Sequence, residues 1–495
     1  MTEHQSSYRQ IMKATTLFGG VQVVHIFVQI IRSKVVAVLL GPAGMGILGL
    51  LTSTMTLMGS LTNFGLKTSA VKDISAEHAL KNNYRIAVTV TILRRLVWLT
   101  GCLGTLLVLS LSPLLSKLTF GNEDFTIAFI WISLTLLFQQ LSSGQLVILQ
   151  GLRKLQDLAK ANVLGSTIGL IATLPFYYIF GTGGIVPGII GTSLVTLFLS
   201  WHFSNKVAVE TVDVSYNQTW SEGKNMLRMG FIISLSGLLA TGGSYIVRVF
   251  ISRAGGIEEV GLYNAGFAVI NTYVGMIFSA MATDYYPRLS AVAHDNLLCK
   301  RTINQQAEIA LLVLSPILVA FLIFINWVVV LLYSDQFVAV NTMIYWATMG
   351  MFFKSTSWSI GFIFLAKGSS KLFFWNEIVT NLYLLGLNIV GYYYWGLTGL
   401  GISFAVSYLL HLLQVFIVSR IKFSFSFDTA IFKIFLFQFS IAIASFLAVM
   451  NLDKGYSYII GGFLVLISSW YSFVELDKRL SISDAFYKWK NRIRK

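Results

Sequence analysis

Three cations lie deep within apolar runs of this chain, Arg32, Arg248 and Lys354, with no carboxylate at comparable depth to neutralise them. Arg32 stands nine residues before Gly41-Pro42, about 13 Å of helix from the nearest interface. A charge at the centre of a bilayer costs about 2.5–3.5 kcal/mol, so three facing lipid would cost about 8–10 kcal/mol, comparable with the stability of a whole domain. Such residues must face a wet cavity, and a cavity lined by cations suits an anion. Arginine adds a planar fork that matches the oxygens of a phosphate. Spacing supports the cavity reading. Gln22, His25, Gln29 and Arg32 recur at intervals of 3, 4 and 3 and so share one helix face. Thr241, Ser244, Arg248 and Ser252 form a second stripe, Ser53, Thr56, Ser60 and Asn63 a third, and Asn264 and Asn271 share a face on a fourth helix.

Around this core the expected substrate-binding set is Arg32, Arg248, Lys354, His25, Gln29 and Trp358, which follows Lys354 by one turn. Lys34, Arg253, Asn63 and Asn271 are weaker members, since Lys34 and Arg253 lie near enough to the outer interface to snorkel. Single Ser, Thr and Asn residues in such helices ordinarily bond to neighbouring helices, and His25 alone reads as a packing histidine or a proton carrier. Glu377, with Asn381 and Asn388 on its face, is the one intramembrane acid expected. It is either a partner of Lys354 or an ion-coupling group. Phe176-Tyr177-Tyr178 and Tyr392-Tyr393-Tyr394-Trp395 read as interfacial aromatic belts.

The elements that carry these residues follow from composition. With 55% hydrophobic and 12% charged residues and a mean hydropathy of +0.72, the 495 residues describe an all-α polytopic membrane protein. Fourteen apolar runs approach the ~20 residues that a spanning helix needs: 14–40, 44–66, 95–116, 125–149, 161–181, 185–204, 229–254, 261–284, 306–332, 338–366, 373–395, 398–419, 430–450 and 456–474. Twelve is the rival count, turning on the last two runs. If Met1 is cytoplasmic, 29 of the 36 Lys and Arg fall in inside segments and only Lys117 and Lys454 outside, the bias that places both termini in the cytoplasm. The +15 net charge is therefore topology and not a nucleic-acid surface. The first run reads as a retained helix and not a cleaved signal, and Cys102 and Cys299 as packing and surface thiols without a disulfide framework.

The chain also repeats itself. Arg32 and Gly46-Ile-Leu are echoed by Arg248 and Gly261-Leu-Tyr, Ser75-Ala76 by Ser290-Ala291, Gly151-x2-Lys154-Leu by Gly368-x2-Lys371-Leu, and Gly183-x4-Gly188-Ile by Gly396-x4-Gly401-Ile, at offsets of 213 to 217 residues. This implies two parallel-repeat lobes of six helices each, 1–205 and 229–420, joined by a cytoplasmic linker at 206–228, with two further helices and a basic tail in 421–495. Duplicated transporters carry substrate between their repeats, so Arg32 and Arg248 are expected to act as pseudo-symmetric mates from opposite lobes.

No phosphate-cradling loop, metal-spaced His/Cys cluster or sizeable outer loop is present in the sequence, so no cofactor or metal is expected, and neither is a pump driven directly by ATP. Gly41-Pro-Ala-Gly44-Met-Gly46, Asn63-Phe-Gly65-Leu-Lys67 and Tyr286-Pro287-Arg-Leu-Ser290 resemble the polysaccharide-exporter branch of the multidrug/oligosaccharidyl-lipid/polysaccharide flippases, and most closely the O-antigen repeat-unit and lipid III translocases. The resemblance covers essentially the whole chain. It implies two lobes around a cationic cavity, and export of undecaprenyl-diphosphate-linked oligosaccharide to the periplasmic leaflet of the bacterial inner membrane. It also implies membrane lipids and the polymerase and ligase of glycan assembly as partners. A drug exporter of the same superfamily and a membrane glycosyltransferase or polymerase are the alternatives. The first calls for deep carboxylates where only Glu377 stands, and the second for a catalytic acid on a large outer loop.

Overall fold

A computed structural model describes residues 3–210 and 212–480, with side chains from Val24 onward apart from positions 232, 233, 236, 273, 283 and 480. The side chain of Gln22 and the basic residues beyond position 480 therefore lie outside the described residues. Among those described, every regular element is helical: α1 (Glu3–Thr62), α2 (Leu66–Ala79), α3 (Asn83–Phe120), α4 (Thr126–Gly151), α5 (Leu155–Phe180), α6 (Ile185–Ser204), α7 (Tyr216–Ala254), α8 (Ile257–Phe267), α9 (Gly275–Ala291), α10 (Asn296–Leu332), α11 (Asn341–Ala366), α12 (Ser370–Phe423), α13 (Thr429–Asn451) and α14 (Lys454–Leu480). A π-helical stretch, Ala268–Val274, joins α8 to α9.

At 60 and 54 residues, α1 and α12 would measure about 90 and 80 Å if straight, against a hydrocarbon core of about 30 Å. Each is broken by a glycine in a conformation that opposes helix, Gly41 at φ 65°, ψ −169° and Gly396 at φ 56°, ψ −139°, and so divides into two limbs. Nine runs among the described residues are long and apolar enough to cross a membrane by length and composition. α7 and α11, the bearers of Arg248 and Lys354, are not among them. Side chains such as Leu331 (74% exposed), Ile459 (73%) and Trp470 (71%) stand outward, a surface suited to lipid and not to water.

Backbone conformation sharpens the repeat. Left-handed positions recur 215 residues apart: Gly41 with Gly256, Arg153 with Gly368, and Gly181 with Gly396. Lys154 and Ser369, which follow the second pair, share nearly the same dihedrals, −78°/60° and −82°/60°. The geometry thus matches Gly368 to Arg153 and Gly396 to Gly181, where residue identity had matched them to Gly151 and Gly183. The turn needs a backbone shape, and side chains drift around it.

By contact the chain divides into two compact units, Met1–Gly261 and Leu262–Lys495. In the first, α3 packs on α4, α5 on α6, and α7 lies against α1, α2 and α3. The contact boundary therefore falls beyond α7 and not at 206–228. Several ties account for this. Gly65 (φ 62°) and Gly230 approach so closely that a Cβ on either would strike the other's carbonyl region. The Arg85 fork donates to both oxygens of Glu222 at 3.2 Å, and Arg95 donates to the Val214 carbonyl at 2.8 Å and to Thr219 Oγ1 at 2.7 Å. Val214 and Met226 are buried against Ile86, Leu93, Leu96, Val147 and Ile148, each such side chain contributing about 1.5–3 kcal/mol by leaving water. In the second unit α10 packs on α11, α13 and α14, and α11 pairs with α12.

Candidate functional site

In the second unit the polar centre forms around Lys354 on α11. Its ammonium donates to Asn271 Oδ1 at 3.1 Å and stands 4.8 Å from the Tyr408 ring centroid and 5.5 Å from that of Phe404. Asn271 belongs to the π-helical stretch, whose wider turn displaces residues from α-helical register, a feature frequent at functional sites. Phe404 and Tyr408 belong to the second limb of α12, one turn apart, with ring centroids 4.6 Å from each other. Among the described residues no carboxylate lies within ion-pair distance of Lys354, so its charge is held by one neutral amide and two ring faces. Ring faces attract a cation without neutralising it. An anion arriving here would meet a full positive charge.

Glu377 does not pair with Lys354, which removes one of the two roles considered for it. It is half-buried on the first limb of α12, where its carbonyl accepts from Asn381 Nδ2 at 2.8 Å. Nearby, Gln414 Nε2 bridges to Asn376 Oδ1 at 2.7 Å and to the Asn376 carbonyl at 3.1 Å, tying the two limbs together. Trp358 turns away from the site. It packs against Phe278, Tyr285 and Phe362 at ring separations of 5.2, 5.6 and 5.2 Å within an aromatic core.

In the first unit Arg32 is half-buried and, among the described residues, has no ion-pair or hydrogen-bond partner, while His25 and Gln29 on the same face are exposed. Arg248 donates to the Ser244 carbonyl one turn back at 3.0 Å. Both arginines belong to this compact unit, and Lys354 to the other. Arg253 caps the end of α3, its Nε donating to the Leu118 carbonyl at 3.2 Å and its Nη2 to the Lys117 carbonyl. Both carbonyls lie in the last turn of α3, where positive charge is favoured, and that of Lys117 also accepts from Gly121 N at 3.2 Å. Beside it, Thr119 Oγ1 and the Tyr245 hydroxyl share a 2.7 Å hydrogen bond. Lys34 is half-buried on α1. Asn63 closes its own turn, Oδ1 accepting from Gly65 N at 2.8 Å. The hydroxyls of Ser53, Thr56 and Ser60 all donate to carbonyls of their own helix, which explains that stripe without any ligand.

The polysaccharide biosynthesis protein family matches residues 35–342. The chain belongs to that family. It is 22% identical over 376 residues to the lipid III flippase of Escherichia coli (strain K12), covering 74% of this chain and 88% of that protein. Two solved structures share its fold. A multidrug resistance MATE family transporter of the MOP superfamily, in an inward-facing conformation, aligns with a TM-score of 0.67 at 17% identity over 83% of this chain and 96% of that one. The lipid II flippase MurJ, in an inward closed conformation, aligns with a TM-score of 0.67 at 12% identity over 95% and 99%. The family resemblance carried by the glycine and proline motifs is thus borne out.

Within this family member, the residue the sequence did not single out is His411. It lies one turn beyond Tyr408, its ring 6.0 Å from the Tyr408 ring and perpendicular to it, and its Nδ1 is buried with no hydrogen-bond partner among the described residues. Phe404, Tyr408, His411 and Gln414 recur at intervals of 4, 3 and 3, a stripe of the same kind as that leading to Arg32. Among the described residues no group of His, Cys, Asp and Glu could hold a metal ion. Cys102 and Cys299 are free thiols. Cys299 is buried, with Sγ 3.2 Å from the Val292 carbonyl, and so lies within the fold and not on its surface.

Proposed function

We propose that this protein flips a lipid-linked oligosaccharide across the bacterial inner membrane, gripping the diphosphate of an undecaprenyl carrier while its glycan crosses from the cytoplasmic to the periplasmic leaflet. The observation that carries the reading is the Lys354 ammonium, held by Asn271 and two rings with no acid among the described residues to neutralise it. A drug exporter for organic cations needs the opposite sign at this point. Arg32 and Arg248 in the first unit, like Lys354 in the second, are each proposed as contacts for the anionic headgroup. His25 and Gln29 line the path, and Arg253 serves the fold. The similarity to a lipid III flippase supports a substrate of this class, and an O-antigen-type repeat unit is the glycan we favour.

Fourteen crossings in two six-helix repeats plus α13 and α14, with both termini cytoplasmic, complete the proposal. Alternating access of the repeats carries the headgroup. With the cell interior negative, each anionic charge moved outward gains about 2.3 kcal/mol per 100 mV, so the membrane potential assists the step. The test is genetic and chemical together. Deleting the gene should make an undecaprenyl-diphosphate-linked glycan accumulate on the cytoplasmic face, and re-expression should clear it. Unchanged lipid-linked glycans in the deletion strain, together with efflux of cationic dyes by the purified protein, would overturn the proposal.

A further inference from the structure

His411 is a half-buried imidazole whose Nδ1 is buried and, among the described residues, without a hydrogen-bond partner, and the ring beside it is the one that carries the Lys354 ammonium. Two basic groups thus share Tyr408 as a common neighbour. α12, which bears His411, packs against α11, so the groups facing the imidazole can be named. Lys354 approaches from α11, Tyr408 lies one turn away on the same limb, and on the first limb Tyr383 stands near both Tyr408 and Glu377. Tyr383 is engaged with Thr380, its hydroxyl 3.4 Å from Thr380 Oγ1. No carboxylate touches either base among the described residues.

A charge already present on one group opposes a second positive charge on its neighbour, and an anion bound to the first removes that opposition. Linkage makes the effect reciprocal: a proton on the neighbour then tightens the anion by the same factor. We propose that Lys354, Tyr408 and His411 form a proton-linked anion site, in which binding of a diphosphate at Lys354 and protonation of His411 at Nδ1 occur together. This rests on the flippase reading and deepens it by naming the group that couples substrate to protons. The balance is simple. One proton leaves solvent and joins Nδ1 as the anion arrives, no covalent bond to the ligand forms, and the proton leaves when the anion does. Because the occupied state holds one proton more than the empty state, affinity must rise as pH falls.

The test uses the full-length protein in detergent and a probe that does not titrate, P1-citronellyl-P2-methyl diphosphate, whose two charges are fixed across the range used. Calorimetry in buffers of different ionisation enthalpy counts protons taken up on binding. The wild type should take up close to one proton at acidic pH and bind about tenfold more tightly at pH 5.5 than at pH 7.5. His411→Gln should lose the uptake and vary less than about twofold over that interval. Equal proton uptake in the wild type and His411→Gln would overturn the linkage, and uptake lost in Glu377→Gln instead would assign the proton elsewhere and overturn it too. Neither result would touch the flippase reading, provided Lys354→Gln still abolishes binding. Probe binding that ignores Lys354→Gln would overturn both. Should His411→Gln fail to accumulate, the imidazole nitrogen resonances of wild-type His411 give the same answer. They must shift to the doubly protonated form on adding the probe at fixed pH, and an unchanged signal sinks the proposal.

Discussion

Arg253 and Lys354 are both cations set in apolar helices, and they are treated in opposite ways. Arg253 is tied by hydrogen bonds to the carbonyl end of α3, where positive charge is favoured. Lys354 is given one amide oxygen and two ring faces, enough to orient the ammonium and too little to quench it. The difference teaches what to look for in a membrane protein. Depth and charge nominate a residue, but the chemistry of its partners decides whether it is available to a ligand. A cation satisfied by backbone is part of the architecture, and one resting on neutral, polarisable neighbours is held ready.

The largest effect expected from this contrast is on Lys354→Glu. Export of surface glycan should fall to background while the amount of protein in the membrane stays normal, as read by glycan staining and immunoblot. A variant that still exports would erase the distinction. Asn271→Asp comes next, because it supplies the missing carboxylate and makes Lys354 resemble a satisfied cation. Diphosphate affinity should drop by about tenfold, the ~1.4 kcal/mol expected of a neutralised ligand, with little change in melting temperature. Arg253→Ala should do the reverse, lowering stability by about 1 kcal/mol in thermal unfolding while export per molecule is kept. The smallest effect belongs to a third cation, Arg85. Burial raises the Glu222 carboxyl, but its hydrogen bonds to Arg85 and Gln218 outweigh this and leave it below the usual glutamate range. A lowered folded-state value stabilises above the unfolded one and is lost as pH falls through the folded value. Glu222→Gln should therefore cost stability at neutral pH and none in strong acid. Solvent screens the pair, so the difference should be about 0.5 kcal/mol or less.

Much of this architecture is legible in the sequence because bilayer thickness fixes the length of each run and glycines mark the turns. The expected runs fall largely on helical segments, the second overrunning the end of α1 at Thr62, and the breaks at Gly41 and Gly396 come where Gly-Pro and Gly-Leu-Thr interrupt apolar sequence. The site was less legible. Formal charge found Lys354, but spacing alone placed Trp358 beside it, whereas aromatic packing with Phe278 and Tyr285 draws that indole away. His411 escaped because a neutral-looking imidazole costs little in a hydropathy reading, although its stripe through Phe404, Tyr408 and Gln414 was there to count. Nothing in the composition of Ala268–Val274 announces a π-helix, since that widening is imposed by what the helix packs against. The expected division at 206–228 followed the repeat, whereas contacts follow buried surface, and α7 has its cover in the first unit.

That last placement has a consequence for how the molecule is made. A ribosome adds about 5–20 residues each second, so several seconds separate the end of α3 from the end of α7. Throughout that interval the notch at Gly65 lacks Gly230, Thr119 lacks Tyr245, and the carbonyls closing α3 lack Arg253. The chain up to α6 is thus a nascent intermediate waiting for a strut that α7 delivers, and synthesis itself sets the earliest moment at which the first unit can close.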